Sequence, residues 1–117
     1  MLLKKIDHPE AAIFHVQGRL DSTSTPELEQ RVVLCLNEGA KNLVMDFSEL
    51  DYINSAGLRI LVMSYQRLLP LGGQVMVCGA RDYIDEIFLI SGYNKIFPMY
   101  PDLDQAIKTF SPNPTGQ

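Results

Sequence analysis

The chain has 117 residues and a mass of 13.1 kDa, the size of one ordinary domain, and its 46% apolar and 21% charged residues exclude the composition of a disordered polymer. Ten Lys and Arg against fourteen Asp and Glu give a net charge of −4 and a pI near 5.0 with no basic cluster, which argues against binding nucleic acid or an anionic membrane through a basic face. The longest apolar runs, Ile60-Leu61-Val62-Met63 and Ile87-Phe88-Leu89-Ile90, fall far short of the roughly 18 residues of a membrane span.

The N-terminus turns charged at Lys4-Lys5 and develops no apolar stretch of a secretory signal, so the protein is expected to be cytoplasmic. Cys35 and Cys78 lie in apolar segments without Cys-x-x-Cys spacing or a nearby His, the pattern of buried thiols. Two N-terminal strands are expected, the second over Ala11 to Gly18, where Ala12, Phe14 and Val16 alternate with Ile13, His15 and Gln17. Ser24 and Glu27 have capping-box spacing and Pro26 falls in a first helical turn, ahead of Leu28, Val32, Cys35 and Leu36 at helical intervals and Gly39 as the stop.

Leu43 to Phe47 is a nearly continuous apolar run, expected as a parallel strand covered on both faces. A loop from Ser48 to Asn54 is expected next, and then a helix, because Leu58, Leu61, Val62, Tyr65, Leu68 and Leu69 keep helical spacing up to Pro70 and Gly72-Gly73. Val75 to Cys78 reads as a buried strand, and Ile84, Ile87, Phe88 and Ser91 as a third helix stopped by Gly92. Tyr83, Leu89 and Ile90 broaden the apolar face of that helix toward a potential partner. Ile96 to Tyr100 suggests a short strand that Pro98 confines to an edge, and Asp102 and Gln105 have the spacing to cap a last helix through Leu103, Ala106, Ile107 and Phe110. Residues 111–117 carry no apolar anchor and are expected to form a flexible C-terminal tail. The order implies an α/β fold: a single domain over residues 1–110, with a central mixed β-sheet of four to five strands covered by about four α-helices. Ligands and partners usually meet such sheets at the carboxyl ends of the strands, where the stretch from Asp46 to Ser55 falls.

Asn54-Ser55-Ala56-Gly57-Leu58 is a small-residue turn leading into the second helix, with Ser55 at or beside the N-cap. A hydroxyl there can cap a backbone N–H, and a phosphate there would meet the positive end of the helix. Such a phosphate would be tolerated by the fold and would repel a partner resting on the same surface through apolar or acidic groups. Other chemistry is poorly supported. A hydrolase elbow needs Gly-x-Ser-x-Gly with a later His, whereas position 53 is Ile and both His8 and His15 precede Ser55. His15 is expected to face outward from its strand and His8 to sit in a turn before Pro9. Asp46, Glu49 and Asp51 are too sparse for a metal site, with Asp46 instead capping backbone groups at the strand end, and Gly72-Gly73 lacks the Lys-Ser or Lys-Thr of a phosphate loop. No cofactor, no metal and no enzymatic activity are therefore expected.

Met45 to Leu58, with its Asn-Ser-Ala-Gly-Leu turn, and the earlier Gly18-Arg19-Leu20-Asp21 followed by the Ser24 to Leu28 helix start resemble, in the same order, the two signature segments of STAS domains, and within them those of the bacterial anti-sigma factor antagonists. The resemblance covers nearly the whole chain. It implies that Ser55 is phosphorylated by the partner, a serine kinase that is also the anti-sigma factor, and dephosphorylated by a PP2C-type phosphatase. ATP and Mg²⁺ would belong to the kinase. The unphosphorylated form would bind the anti-sigma factor and so free the sigma factor for transcription. Asp21 matches an acidic family residue near the phosphorylatable Ser that helps in partner binding or phosphorylation. Asn54 stands where the family most often has Asp; it removes a negative charge and keeps the hydrogen-bonding shape. The expected contact surface comprises Asp21, Ser22 and Thr23 of the segment running to Thr25, the stretch Tyr52, Asn54, Ser55, Ala56 and Gly57, and Arg59 and Met63 on the second helix. Two other readings are a STAS scaffold subunit of a stress-signalling or lipid-transport complex without a Ser switch, and an enzyme acting on a small phosphorylated or acyl substrate.

Overall fold

In a computed structural model that describes residues 1–110, β1 (Leu2–His8) and β2 (Ala11–Leu20) form an antiparallel hairpin in which Leu2 faces Gln17 and His8 faces Ala11. The tail expected at 111–117 lies outside the described residues. Helix α1 (Thr25–Asn37) carries the chain to β3 (Asn42–Ile53), α2 (Ser55–Leu68) to β4 (Gln74–Cys78), and α3 (Asp82–Ser91) to a two-residue β5 (Met99–Tyr100), before the short α4 (Leu103–Lys108). The sheet order is β1-β2-β3-β4-β5, antiparallel at the first pair and parallel at the other three. This is the mixed α/β sheet the sequence predicts.

Each parallel crossover steps one strand in the same direction, so crossovers of one hand stack α1, α2 and α3 on one face. That face holds the larger core, in which Phe14, Leu43, Met45, Phe47 and Val77 of the sheet meet Leu28, Val32, Leu61, Ile84 and Phe88 of the helices. On the other face α4 covers Ala11, Ile13, Val44, Met76 and Cys78 through Ala106, with Leu103, Ile107 and Phe110 packed beside it. Burial on both faces explains why Ala11 to Phe14 are all buried even though polar residues alternate further along β2. Cys35 and Cys78 are buried and unpaired, and burial pushes the Cys78 thiol up to about 12.

Four local expectations are corrected. Ser24 does not form a capping box, because its own backbone is helical (φ −99°, ψ −25°) and its hydroxyl turns back to donate to the Arg19 carbonyl at 2.6 Å and accept from the Asp21 N–H at 3.0 Å. The loop expected from Ser48 to Asn54 is strand as far as Ile53. Helix α2 ends at Leu68, and Leu69–Leu71 form a 3₁₀ turn closed by Gly72 in the left-handed region (φ 77°). Only Met99 and Tyr100 of the expected Ile96–Tyr100 strand pair with β4; Phe97 is fully buried instead and meets Tyr65, Phe88 and Tyr93 edge-on at centroid distances of 5.9–6.3 Å. The Asp102 cap forms as expected, accepting from the Gln105 N–H at 2.9 Å. On α3, Ile84 and Phe88 are buried while Tyr83, Leu89 and Ile90 remain exposed. Among the described residues no helix is long and apolar enough to cross a membrane.

Phe97 joins Tyr65 of α2, Phe88 of α3 and Tyr93 of a second 3₁₀ turn (Tyr93–Lys95) into one aromatic cluster. Phe97→Ala is expected to cost about 3–5 kcal/mol and Phe97→Leu much less, read as a shift of the urea unfolding midpoint at unchanged slope.

Candidate functional site

Over the stretch where β2 runs from His15 to Leu20, β3 runs from Asp46 to Ile53 and so carries two more residues than its partner. The register shifts once between His15 and Gln17 and again between Gly18 and Arg19. Each shift is a bulge, an insertion that bends the strand and re-aims the chain beyond it. The first is bridged by one imidazole: His15 Nδ1 lies 3.0 Å from Asp46 Oδ2 and Nε2 lies 2.9 Å from Glu49 Oε1. Asp46 Oδ1 accepts the Ser48 N–H at 3.0 Å, and the Ser48 carbonyl accepts from Arg81 Nε at 3.3 Å. Gly79 makes this fit possible, since its φ of +70° suits glycine and a Cβ there would stand 2.9 Å from that of Ser48. At the second bulge the Asp51 carboxylate pairs with the Arg81 guanidinium, and its carbonyl accepts from the Tyr83 hydroxyl. Residues 79–83, entering α3, therefore hold both insertions.

The bulged strand ends at the helix start. The Asn54 N–H donates to the Leu20 carbonyl at 3.1 Å, which ties the end of β2 to the entry of α2. Asn54 is the N-cap, with extended backbone (φ −113°, ψ −172°) and a side-chain oxygen accepting the N–H groups of Ala56 at 3.0 Å and Gly57 at 3.3 Å. Ser55 is the first helical residue, exposed, with its hydroxyl outside these capping bonds. Ser55 therefore stands beside the cap, and the capping role the sequence allowed it belongs to Asn54. Gly57 lets α2 sit close against the strand ends, because a Cβ there would lie 2.8 Å from Ile53 Cγ1 and 3.2 Å from Leu20 Cβ. No acidic residue occupies the first turn of α2, so its positive end is not neutralised from within the helix.

The turn after β2 completes the surface. The Asp21 carboxylate accepts the Thr23 hydroxyl at 2.7 Å, the Thr23 N–H at 3.0 Å and the Ser24 N–H at 3.2 Å, and these bonds, led by those from Thr23, hold its pKa down at about 2. The Arg19 guanidinium stacks over the Tyr52 ring at 4.2 Å, with its Nε 3.7 Å from Asp21. Arg19 thus joins the Asp21–Thr23 turn to Tyr52, as the Leu20–Asn54 bond joins β2 to the Ser55 turn. Ser22 is exposed on the same turn. Arg59, one helical turn beyond Ser55, is exposed, whereas Met63, a further turn on, is partly packed against the core.

Asp46, Glu49 and Asp51, weighed from sequence as a sparse metal cluster, go to different partners, the first two to His15 and the third to Arg81. His15 faces away from the larger core as expected, yet it is engaged at both ring nitrogens. Sequence reasoning placed none of Arg19, Arg81 and Tyr83 at this site, naming Arg19 only within the Gly18–Asp21 segment and Tyr83 only on the apolar face of the third helix. The one signal for the last two was their position just past the carboxyl end of β4, where such sheets place their functional loops.

The STAS domain family pattern matches residues 3–106, and the chain belongs to that family. It is 32% identical over 95 residues to BtrV of Bordetella bronchiseptica, described as an anti-sigma factor antagonist, a match covering 81% of this chain and 82% of the relative. An anti-sigma factor antagonist from Mycobacterium paratuberculosis superposes with a TM-score of 0.83 at 30% identity, covering 92% of each chain. The Bacillus cell fate determinant SpoIIAA in its phosphorylated form shares the fold, with a TM-score of 0.76 at 16% identity over 94% of this chain and 100% of the other.

Asn54→Ala, which removes the acceptor for two helix N–H groups, is expected to lower stability by about 1 kcal/mol. Asn54→Asp keeps the acceptor and adds a charge favoured by the helix end, for a gain of about 0.3–1 kcal/mol at low salt. Denaturant melts of both variants beside the parent check the pair.

Proposed function

We propose that this chain is an anti-sigma factor antagonist whose binding is switched at Ser55. Unphosphorylated, it binds an anti-sigma factor that is also a serine kinase and so frees a sigma factor for transcription; phosphorylation of Ser55 breaks that complex, and a PP2C-type phosphatase restores it. The reading rests on one observation above the others. Ser55 is exposed at the first position of α2 while Asn54 alone supplies the cap, so its hydroxyl is available to a kinase without loss of a structural bond.

A phosphate on Ser55 would add about −1.5 to −2 charges at pH 7. The helix end accommodates that charge, and Arg59 stands one turn away on the same helix. A partner resting on Asp21, Ser22, Thr23, Tyr52, Asn54, Ser55, Ala56, Gly57, Arg59 and Met63 would instead have its apolar or acidic groups desolvated against it. The switch therefore acts on binding and leaves folding intact. The antagonists among its relatives and the phosphorylated SpoIIAA structure, which shares the fold, support this reading. The chain carries no catalysis in this scheme, which operates in the cytoplasm.

A second reading, a scaffold subunit of a stress-signalling or lipid-transport complex without a Ser switch, is favoured by one feature: Asn54 leaves the turn without the negative charge more usual there. Tagged Ser55→Ala and Ser55→Asp proteins, exposed side by side to lysate of the native cell, separate the two. The antagonist reading expects a kinase-like anti-sigma factor retained by the Ala form and lost by the Asp form. Equal retention of the same partners by both forms would assign the chain to the scaffold class.

A further inference from the structure

The ring of His15 lies between two carboxylates, with one nitrogen within hydrogen-bonding distance of each. An ionised carboxylate only accepts, and a neutral imidazole has only one N–H to give. Both bonds can therefore exist together only when the ring carries both protons. The two acids stand on opposite sides of the first β3 bulge, so the imidazolium closes that bulge from the sheet face that α4 leaves open. Downstream the strand continues as Leu50, the second bulge at Asp51, Tyr52, Ile53 and the Asn54 cap.

We propose that His15 is a positioning residue for the Ser55 site: as a cation it staples the bulge between Asp46 and Glu49, and loss of its proton releases the Glu49 end and loosens the segment that presents Asn54 and Ser55. The effect on partner affinity rests on the function proposed for Ser55, whereas the staple itself does not.

The groups facing the ring are Lys4 on β1, its register partner, and Asp46 and Glu49 on β3. Beyond Asp46 come its register partner Cys78 on β4, whose thiol stays protonated at neutral pH, and Asp102 ahead of α4, which acts on that thiol. The His15 pKa is raised, first by the hydrogen bond to Asp46 and then by that to Glu49, against the opposing effect of burial. For Asp46 burial pushes upward, but the hydrogen bonds from His15 and Ser48 outweigh it and its pKa is lowered. A raised histidine pKa stabilises fully below the unfolded value near 6.5, and the contribution is lost as pH rises through the folded value. A lowered aspartate pKa stabilises above its unfolded value near 3.9 and fails as pH falls through the folded one. The staple is thus intact in mildly acidic solution and opens on the alkaline side. Glu49 is the acid released, because its side chain is 52% exposed and rehydrates easily, whereas that of Asp46 is 13% exposed and keeps the remaining N–H.

A pH titration followed by NMR tests this on the protein alone. The His15 ring should titrate above the ordinary value, and the backbone amides of Glu49, Tyr52, Asn54 and Ala56 should move with the same midpoint. His15→Gln, neutral at every pH, should abolish that transition in the four amides. Glu49→Gln, a change at an exposed side chain, should lower the ring midpoint without unfolding the protein. His8, the other histidine, is at the opposite end of β2 from these amides. A ring midpoint at or below about 6.5, or Asn54 and Ala56 amides that ignore the ring, would overturn the staple.

With a captured partner, dissociation constants measured from about pH 6 to about pH 9 should rise severalfold for the parent and stay flat for His15→Gln. A parent profile as flat as that of the variant overturns the link to binding. Failure of the Ser55 reading leaves the amide titration unchanged, and failure of the staple leaves the Ala-versus-Asp contrast unchanged.

Discussion

The site depends on a mismatch in length between neighbouring strands. Parallel strands in one sheet advance by similar distances per residue, so two extra residues in β3 must be pushed out of the ladder, and each leaves backbone groups that need other partners. The chain supplies them from both sides. His15 reaches across from β2 to close the first bulge, and Arg81 and Tyr83 reach back from the start of α3 to hold Ser48 and Asp51. With both insertions held, β3 continues to Ile53, and the Leu20 carbonyl and the Asn54 cap turn the chain into α2. Ser55 is exposed because the strand before it is bent and held, and the fold asks nothing of its hydroxyl.

That independence makes a phosphate switch physically reasonable at this position. A cap formed by the modified side chain itself would be lost on phosphorylation and the helix start would weaken. Here Asn54 makes the cap, Gly57 brings α2 close to Ile53 and Leu20, and Ser55 is left on the surface beside the positive helix end. The Asp21 turn, with its carboxylate already satisfied by Thr23 and Ser24, and the Arg19–Tyr52 stack supply a pre-ordered rim next to it. A surface with its internal bonds already made loses little conformational freedom when a partner docks.

Much of this was legible in the sequence. The periods of α1, α2 and α3, the apolar runs of β3 and β4, and the Asn54-to-Leu58 turn all appear where composition and spacing place them. Regularity broke down where tertiary contacts overruled local pattern. Leu50 and Ile53 are three residues apart, which is no strand period, and they read as loop because the bulge between them is invisible without the partner strand. Ser24 was lost as a cap to the Arg19 carbonyl, and Phe97 left the ladder for an aromatic cluster. Asn54 and Ser55 are both good capping residues, and only the extended backbone at Asn54 decides between them. Arg81 and His15 act across about 30 residues of chain, a separation over which no local signal operates.

In the proposed switch, Ser55 governs binding without governing the fold. The most direct measurement is on protein carrying phosphoserine at position 55, introduced during synthesis so that no kinase is needed, with its unfolding free energy and its affinity for the captured partner compared with those of the unmodified chain. The proposed switch predicts unchanged or slightly higher stability together with a loss of affinity of about tenfold or more, equivalent to about 1.4 kcal/mol or more of binding energy. Equal affinity for both forms, or a phosphorylated chain that is itself destabilised, would contradict it.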